Sequence, residues 1–179
     1  MVKANLKEVG SSGRAEELAT PTDLKKRATT EIAKKLNKLV ADSFVLYLKT
    51  KNFHWHVSGP HFAEYHKLFD DQAAQIYAAI DPLAERVRKL GERTILGVKQ
   101  ISEIATLEDE LSQFVPPARM LEILINDNRA VVDSLRKAHK VCDEHDDVAT
   151  ASLIEMFIDE TEKRIWFLFE ASRPLQADH

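Results

Sequence analysis

The stretch KNFHWHVSGPHFAEYHKLFD, residues 51–70, followed by DPLAE at residues 81–85, carries most of the structural and chemical information in the chain. At its centre, Ser58-Gly59-Pro60 is a compact break, because glycine permits a helix to stop and proline suits the start of the next one. Before the break, a helix is predicted over residues 23–57, with Ile32, Leu36, Leu39, Phe44 and Leu48 among its apolar positions. After it, a helix over residues 60–90 carries the core stripe Phe62, Phe69, Ala73, Ile76, Ile80, Leu83, Val87 and Leu90, and Gly91 marks its end.

Residues 91–115 read as a long connection holding one short helix around Val98–Ile104. A third long helix starts near Pro116-Pro117 and carries Leu121, Leu124, Val131, Leu135, Ala138 and Cys142. A fourth covers residues 147–172 with Leu153, Phe157, Ile165 and Leu168, and Pro174 lies just beyond it. Four long amphipathic helices with one long middle connection predict an all-α, ferritin-like four-helix bundle with a crossover over residues 23–173. Residues 1–22 hold Gly10, Gly13, serines and mixed charge with no apolar period, and read as a flexible tail. Residues 174–179 read as a short C-terminal tail.

Composition agrees with this reading. The chain has 179 residues, 44% of them hydrophobic, and only five glycines, which favours helices over a turn-rich β architecture. The net charge of −4 gives no general attraction to nucleic acid or anionic membranes. A single cysteine, Cys142, makes no internal disulfide and reads as a small buried residue, which suits a reducing cytoplasm. No apolar run approaches the roughly 20 residues of a membrane span, and the N-terminus does not read as a signal peptide. A cytoplasmic protein is expected.

His66 and Asp70 lie four residues apart, as do Asp81 and Glu85. At about 100° per residue, and with His66 at zero, the four fall near 0°, 40°, 60° and 100°. They share one quadrant, while the apolar stripe centres near about −60°. The same quadrant holds Ala63, Ala74, Tyr77 and Ala84, so it does not read as a fully solvated face and implies a partner surface. His66 and Asp81 are 15 residues apart, roughly 22 Å along a helix, too far for one metal ion. Each pair is therefore half a site, and an antiparallel copy across a two-fold axis would unite the halves. Imidazole with carboxylate suits iron, and zinc or manganese would bind the same groups. Taken alone, each pair also reads as an ordinary surface arrangement, and the residues themselves leave that alternative open.

The stretch resembles the signature of the Dps (DNA-protection-during-starvation) family, miniferritins of the ferritin-like superfamily. The resemblance rests on Phe53-His54-Trp55, on Gly59-Pro60-His61-Phe62, on His66 with Asp70, and on residues 81–86 ending in Arg86. It extends over most of residues 23–173, including the IWFLFE run of the last helix. It implies a di-iron ferroxidase site in which one subunit supplies His54, His66 and Asp70. The two-fold mate would supply Asp81 and Glu85, with Glu85 bridging. It further implies a homododecamer that oxidises Fe(II), preferably with hydrogen peroxide rather than O2, and stores ferric mineral, protecting the cell and its DNA. Trp55 resembles the family tryptophan that supplies an electron or quenches radicals.

Some features depart from that pattern or compete with it. His56 stands where the family more often has Asn; it points about 200° from His54 on a helix and cannot face the same metal. His56 and His61 read as bystanders. Pro82, between two expected ligands, is expected to strain or kink its helix. The larger ferritins place their site inside one bundle with Glu-x-x-His, which this chain lacks. The six residues after Arg173 leave no room for those cages' extra terminal helix. The alternative reading is a DNA-compacting nucleoid protein with secondary iron binding. Many members of the family bind DNA through a lysine-rich tail. Here, however, Lys3, Lys7 and Arg14 are balanced by Glu8, Glu16 and Glu17, the C-terminus is not basic, and Lys25, Lys26 and Arg27 form only a small cluster. Weak DNA binding is expected. Asp143, Glu144, Asp146 and Asp147 are a candidate acidic lining for an iron entry pore.

Overall fold

Apolar residues recurring every third or fourth position make four long helices, and their order fixes the topology. The computed structural model describes residues 18–173. Helix α1 is Lys26–His56, α2 is Phe62–Lys89, α3 is Val98–Ile104, α4 is Pro117–Glu144 and α5 is Val148–Ala171. The short helix falls where the sequence placed it. The long helices begin and end within about three residues of expectation, the usual uncertainty of helix ends.

Side-chain pairs give the direction of each helix. His54 meets His66 and Tyr47 meets Tyr77 between α1 and α2. Lys38 bonds Ser134 and Lys49 bonds Asp127 between α1 and α4. Tyr65 reaches Ala171 and Gln72 reaches Arg164 between α2 and α5. Each pairing is antiparallel, so α2 and α4 run the same way. The chain must therefore travel back the length of the bundle between them, roughly 40 Å for a 28-residue helix. Residues 91–116 make that crossover, and α3 rides within it against α1.

A buried carboxylate fastens the crossover. Asp42 of α1 is 1% exposed and accepts hydrogen bonds from the amides of Thr106 (2.6 Å) and Leu107 (3.2 Å) and from Lys38 Nζ (2.7 Å). Burying that charge is tolerable because its oxygens are hydrogen-bonded and paired with a cation. At the start of α5, Asp147 accepts from the Thr150 amide as an N-cap, and Arg86 of α2 donates to it at 2.7 Å.

The core stripe of α2 is buried as read, from Phe69 through Leu90, as are Leu121, Leu124, Val131, Leu135, Ala138 and Cys142 of α4. Two apolar positions fall outside the core. Leu48 is 55% exposed and Phe62 is 46% exposed, because both sit on the outer side of the α1–α2 hairpin, which nothing among the described residues covers. Pro82 does not interrupt α2. It removes one donor to the Ala78 carbonyl, and Ala78 is exposed, so water can satisfy that group.

Gly59 turns between α1 and α2 with φ +101°, a conformation that suits glycine. Gly91 ends α2 with φ +75°, and the Glu92 amide donates back to the Val87 carbonyl. There Thr20 Oγ1 donates to the Arg88 carbonyl and Arg88 to the Leu18 carbonyl. The part of the expected tail that is described is thus tied to α2; residues 1–17 and 174–179 lie outside the described residues.

Candidate metal centre

The hairpin of α1 and α2 brings His54 and His66 face to face, with ring centroids 3.7 Å apart and planes 25° from parallel. Each ring is held by the other residue's backbone. His54 Nδ1 lies 2.7 Å from the His66 carbonyl, and His66 Nδ1 lies 2.8 Å from the His54 carbonyl. A carbonyl oxygen can only accept, so both Nδ1 atoms carry the proton. In the neutral rings the lone pairs are then on both Nε2 atoms. Fixing the tautomer through the second nitrogen is how proteins prepare histidine to ligate a metal.

Asp70 completes this corner. Its Oδ1 lies 3.9 Å from His54 Nε2 and 2.7 Å from Lys51 Nζ. The Lys51 hydrogen bond holds the Asp70 carboxyl below the usual carboxylate range; burial opposes the shift, and the charges of Lys51, His54 and His66 add to it. Lys51 escaped the sequence reading, although it lies three residues before His54 and therefore on the same face of α1. It also lies over the Trp55 ring, 5.9 Å from its centroid.

Of the expected site residues, the structure brings together His54, His66 and Asp70. Asp81 and Glu85 stand further along α2, both exposed, Glu85 with only Lys89 Nζ at 3.3 Å. Among the described residues, no set of three or more His, Cys, Asp or Glu side chains closes into a metal-binding cluster within one chain. Trp55 is 57% exposed beside the histidines, and Phe62 packs on His66 with centroids 5.0 Å apart. His56 is turned to its own helix, Nδ1 donating to the Asn52 carbonyl at 2.8 Å. His61 lies against Tyr65. Neither shares the site.

The surface beside Asp81 is largely apolar. Tyr77 is 58% exposed, and a groove of about 720 Å³ opens beside Asp81 between Phe44, Tyr77, Ala84, Leu96 and Val98. Of the acidic residues expected to line an entry pore, Asp147 is 4% exposed and occupied by Arg86 and its own helix start, so within the chain it is not a free carboxylate. Asp143, Glu144 and Asp146 are exposed, and Asp143 is paired with His139 at 3.0 Å. Cys142 is buried, and its surroundings push the thiol up to about 12, chiefly by desolvation, so it is inert as expected.

The ferritin-like domain family model matches residues 33–172. The chain is 36% identical over 137 residues to a DNA protection during starvation protein of Brevibacillus brevis, a match covering 76% of this chain and 91% of that one. The solved structure of a Dps protein from Bacillus brevis superposes with a TM-score of 0.80 at 33% identity, covering 84% of this chain and 100% of the other. A Vibrio cholerae Dps protein, described as a member of a broad superfamily of ferritin-like diiron-carboxylate proteins, superposes with a TM-score of 0.81 at 25% identity, covering 87% and 98%.

Proposed function

The chain belongs to the Dps family of ferritin-like proteins, and from that premise we propose that it is a ferroxidase whose site is completed only by a second copy of itself. His54, His66 and Asp70 of one subunit and Asp81 and Glu85 of its two-fold mate would hold two ferrous ions, with Glu85 between them. The ions are substrate. Each gives one electron to hydrogen peroxide, whose O–O bond breaks, and the ferric product hydrolyses to mineral inside a shell of twelve chains. Two ferrous ions, one peroxide and two waters give two units of ferric oxyhydroxide and four protons.

One observation carries the reading: the reciprocal Nδ1–carbonyl bonds of His54 and His66, which leave both Nε2 lone pairs free, that of His54 3.9 Å from Asp70 Oδ1. Metal-ligating histidines commonly hold their other ring nitrogen in this way. The need for a partner is supported by the separation of the acidic pair from the histidines and by Trp55, Phe62 and Tyr77, large rings about half exposed along the same hairpin. Trp55 would give an electron or intercept radicals next to the histidines.

DNA compaction is the weaker reading. Of the small basic cluster, Lys26 is paired with Glu92 at 2.6 Å and Arg27 with Glu31 at 2.8 Å, which leaves few free cations for phosphates at the start of α1. Protection of DNA would then come from removing ferrous iron and peroxide together. The test is the ferric absorbance after mixing ferrous iron with peroxide. D81A/E85A protein should assemble to a particle of about twelve times 20.3 kDa and lose the fast phase. An unchanged fast phase in that variant refutes the site.

A further inference from the structure

The centre of the four-helix bundle holds a charge that forms no ion pair with a carboxylate among the described residues. Arg164 of α5 is 5% exposed. Its Nε donates to Asn128 Oδ1 of α4 at 3.0 Å and its Nη2 to Thr161 Oγ1 at 2.7 Å. Both acceptors are fixed in turn, since Asn128 Nδ2 donates to the Leu124 carbonyl and Thr161 Oγ1 to the Phe157 carbonyl. The third nitrogen, Nη1, is buried and has no hydrogen-bond partner among the described residues. Glu160, one turn earlier on α5, acts on it only through space.

Beside the guanidinium lies an internal cavity of about 20 Å³ where all four long helices meet, bounded by Arg164, Thr161 and Ser43 and otherwise by apolar side chains such as Leu46, Ile76 and Leu135. A space of that size holds one occupant of water size or a little larger. Phosphate and sulfate are too large. Burial pulls Arg164 down to about 10, so the group stays cationic at neutral pH. An uncompensated buried cation is costly, and a neutral water offsets only part of that cost, whereas a monatomic anion supplies the missing charge.

We propose that this cavity is a binding site for one monatomic anion of the halide class, held by Arg164 Nη1 and the Ser43 hydroxyl. The proposal does not depend on the ferroxidase reading. It is tested on the full-length assembled protein with bromide as the probe, exchanged against gluconate at constant ionic strength. Crystals grown in bromide should show an anomalous peak in contact with Arg164 Nη1. The unfolding midpoint should rise by roughly 3–5 °C at tenfold excess over the dissociation constant. R164M, which fills a similar volume without charge, should lose the bromide dependence, and S43A should weaken it. A cavity without an anomalous peak, together with a midpoint indifferent to bromide, means that the occupant is water and overturns the proposal. Equal bromide dependence in wild type and R164M overturns it as well. Should R164M fail to assemble, the wild-type crystals and S43A decide.

Discussion

Complementation between two inactive chains tests the shared site most directly. Asp81 lies 15 residues beyond His66 on one uninterrupted helix, roughly 22 Å away, so the two halves of one chain cannot serve one ion pair. Let one variant carry H66A/D70A and the other D81A/E85A. Each alone should lack every complete site. In a mixed two-fold dimer, one site combines both damaged halves and is dead, while the other combines both intact halves and works. With random pairing, half the dimers are mixed and half of their sites are intact, so co-assembled cages should recover about a quarter of the wild-type fast phase. The structural cost is small. H66A/D70A loses one hydrogen bond to the His54 carbonyl, about 1 kcal/mol, with the ring packing of His66 on His54 and Phe62 and the exposed Lys51 pair, while the acidic pair makes the Lys89 contact. Co-expression with two different tags, tandem purification and stopped-flow ferric absorbance give the measurement. Mixed cages no faster than either parent would refute the inter-subunit site, because a site within one chain gives no complementation.

Two further outcomes follow from contacts around the site and the bundle. Lys51 keeps Asp70 ionised to lower pH than usual, and a depressed carboxyl favours the charged form until pH falls through its folded value. K51M should move the acid limb of iron oxidation to higher pH, while at neutral pH removal of the competing ammonium should quicken the first binding step; an unmoved acid limb would mean that Asp70 is not a ligand. D147A removes the α5 cap and strands Arg86, so it should cost about 3–4 kcal/mol in urea unfolding, with the ferroxidase site intact in the surviving cage.

How much of this was legible in the sequence differs from element to element. Helix α2 was readable because its stripe from Phe69 to Leu90 repeats faithfully against its own bundle, and period alone reports that. Phe62 fits the same period yet is half exposed, since periodicity cannot tell the core from a surface awaiting another copy. His66 and Asp70 were visible as an i,i+4 pair. His54 was visible only through the family resemblance, because its contact with His66 crosses a turn and depends on how two helices pack. Lys51 was hidden for a different reason: a lysine on a helix is ordinarily solvated, and only the approach of α2 puts Asp70 against it. Asp42 and Arg164 were the least legible, for buried charges in a bundle are chosen by partners distant in sequence.

The placement of charge also bears on where a metal can be oxidised in this fold. In the larger ferritins the ligands point into the bundle, so one chain suffices. Here the middle of the bundle carries Arg164, and a guanidinium there repels the cation that an internal di-iron site would need. The imidazoles and carboxylates are instead on the outer side of the α1–α2 hairpin, split into two groups by the length of α2. Under the proposed function, a cation that needs both groups would bind only where two hairpins meet. On the proposed arrangement oxidation would be coupled to assembly, because a free subunit would have neither a complete outer site nor a hospitable inner one. Dilution that separates two-fold partners should therefore abolish the fast phase before it unfolds any helix, and circular dichroism recorded on the same dilution series as the ferric absorbance will show whether the two losses are separate.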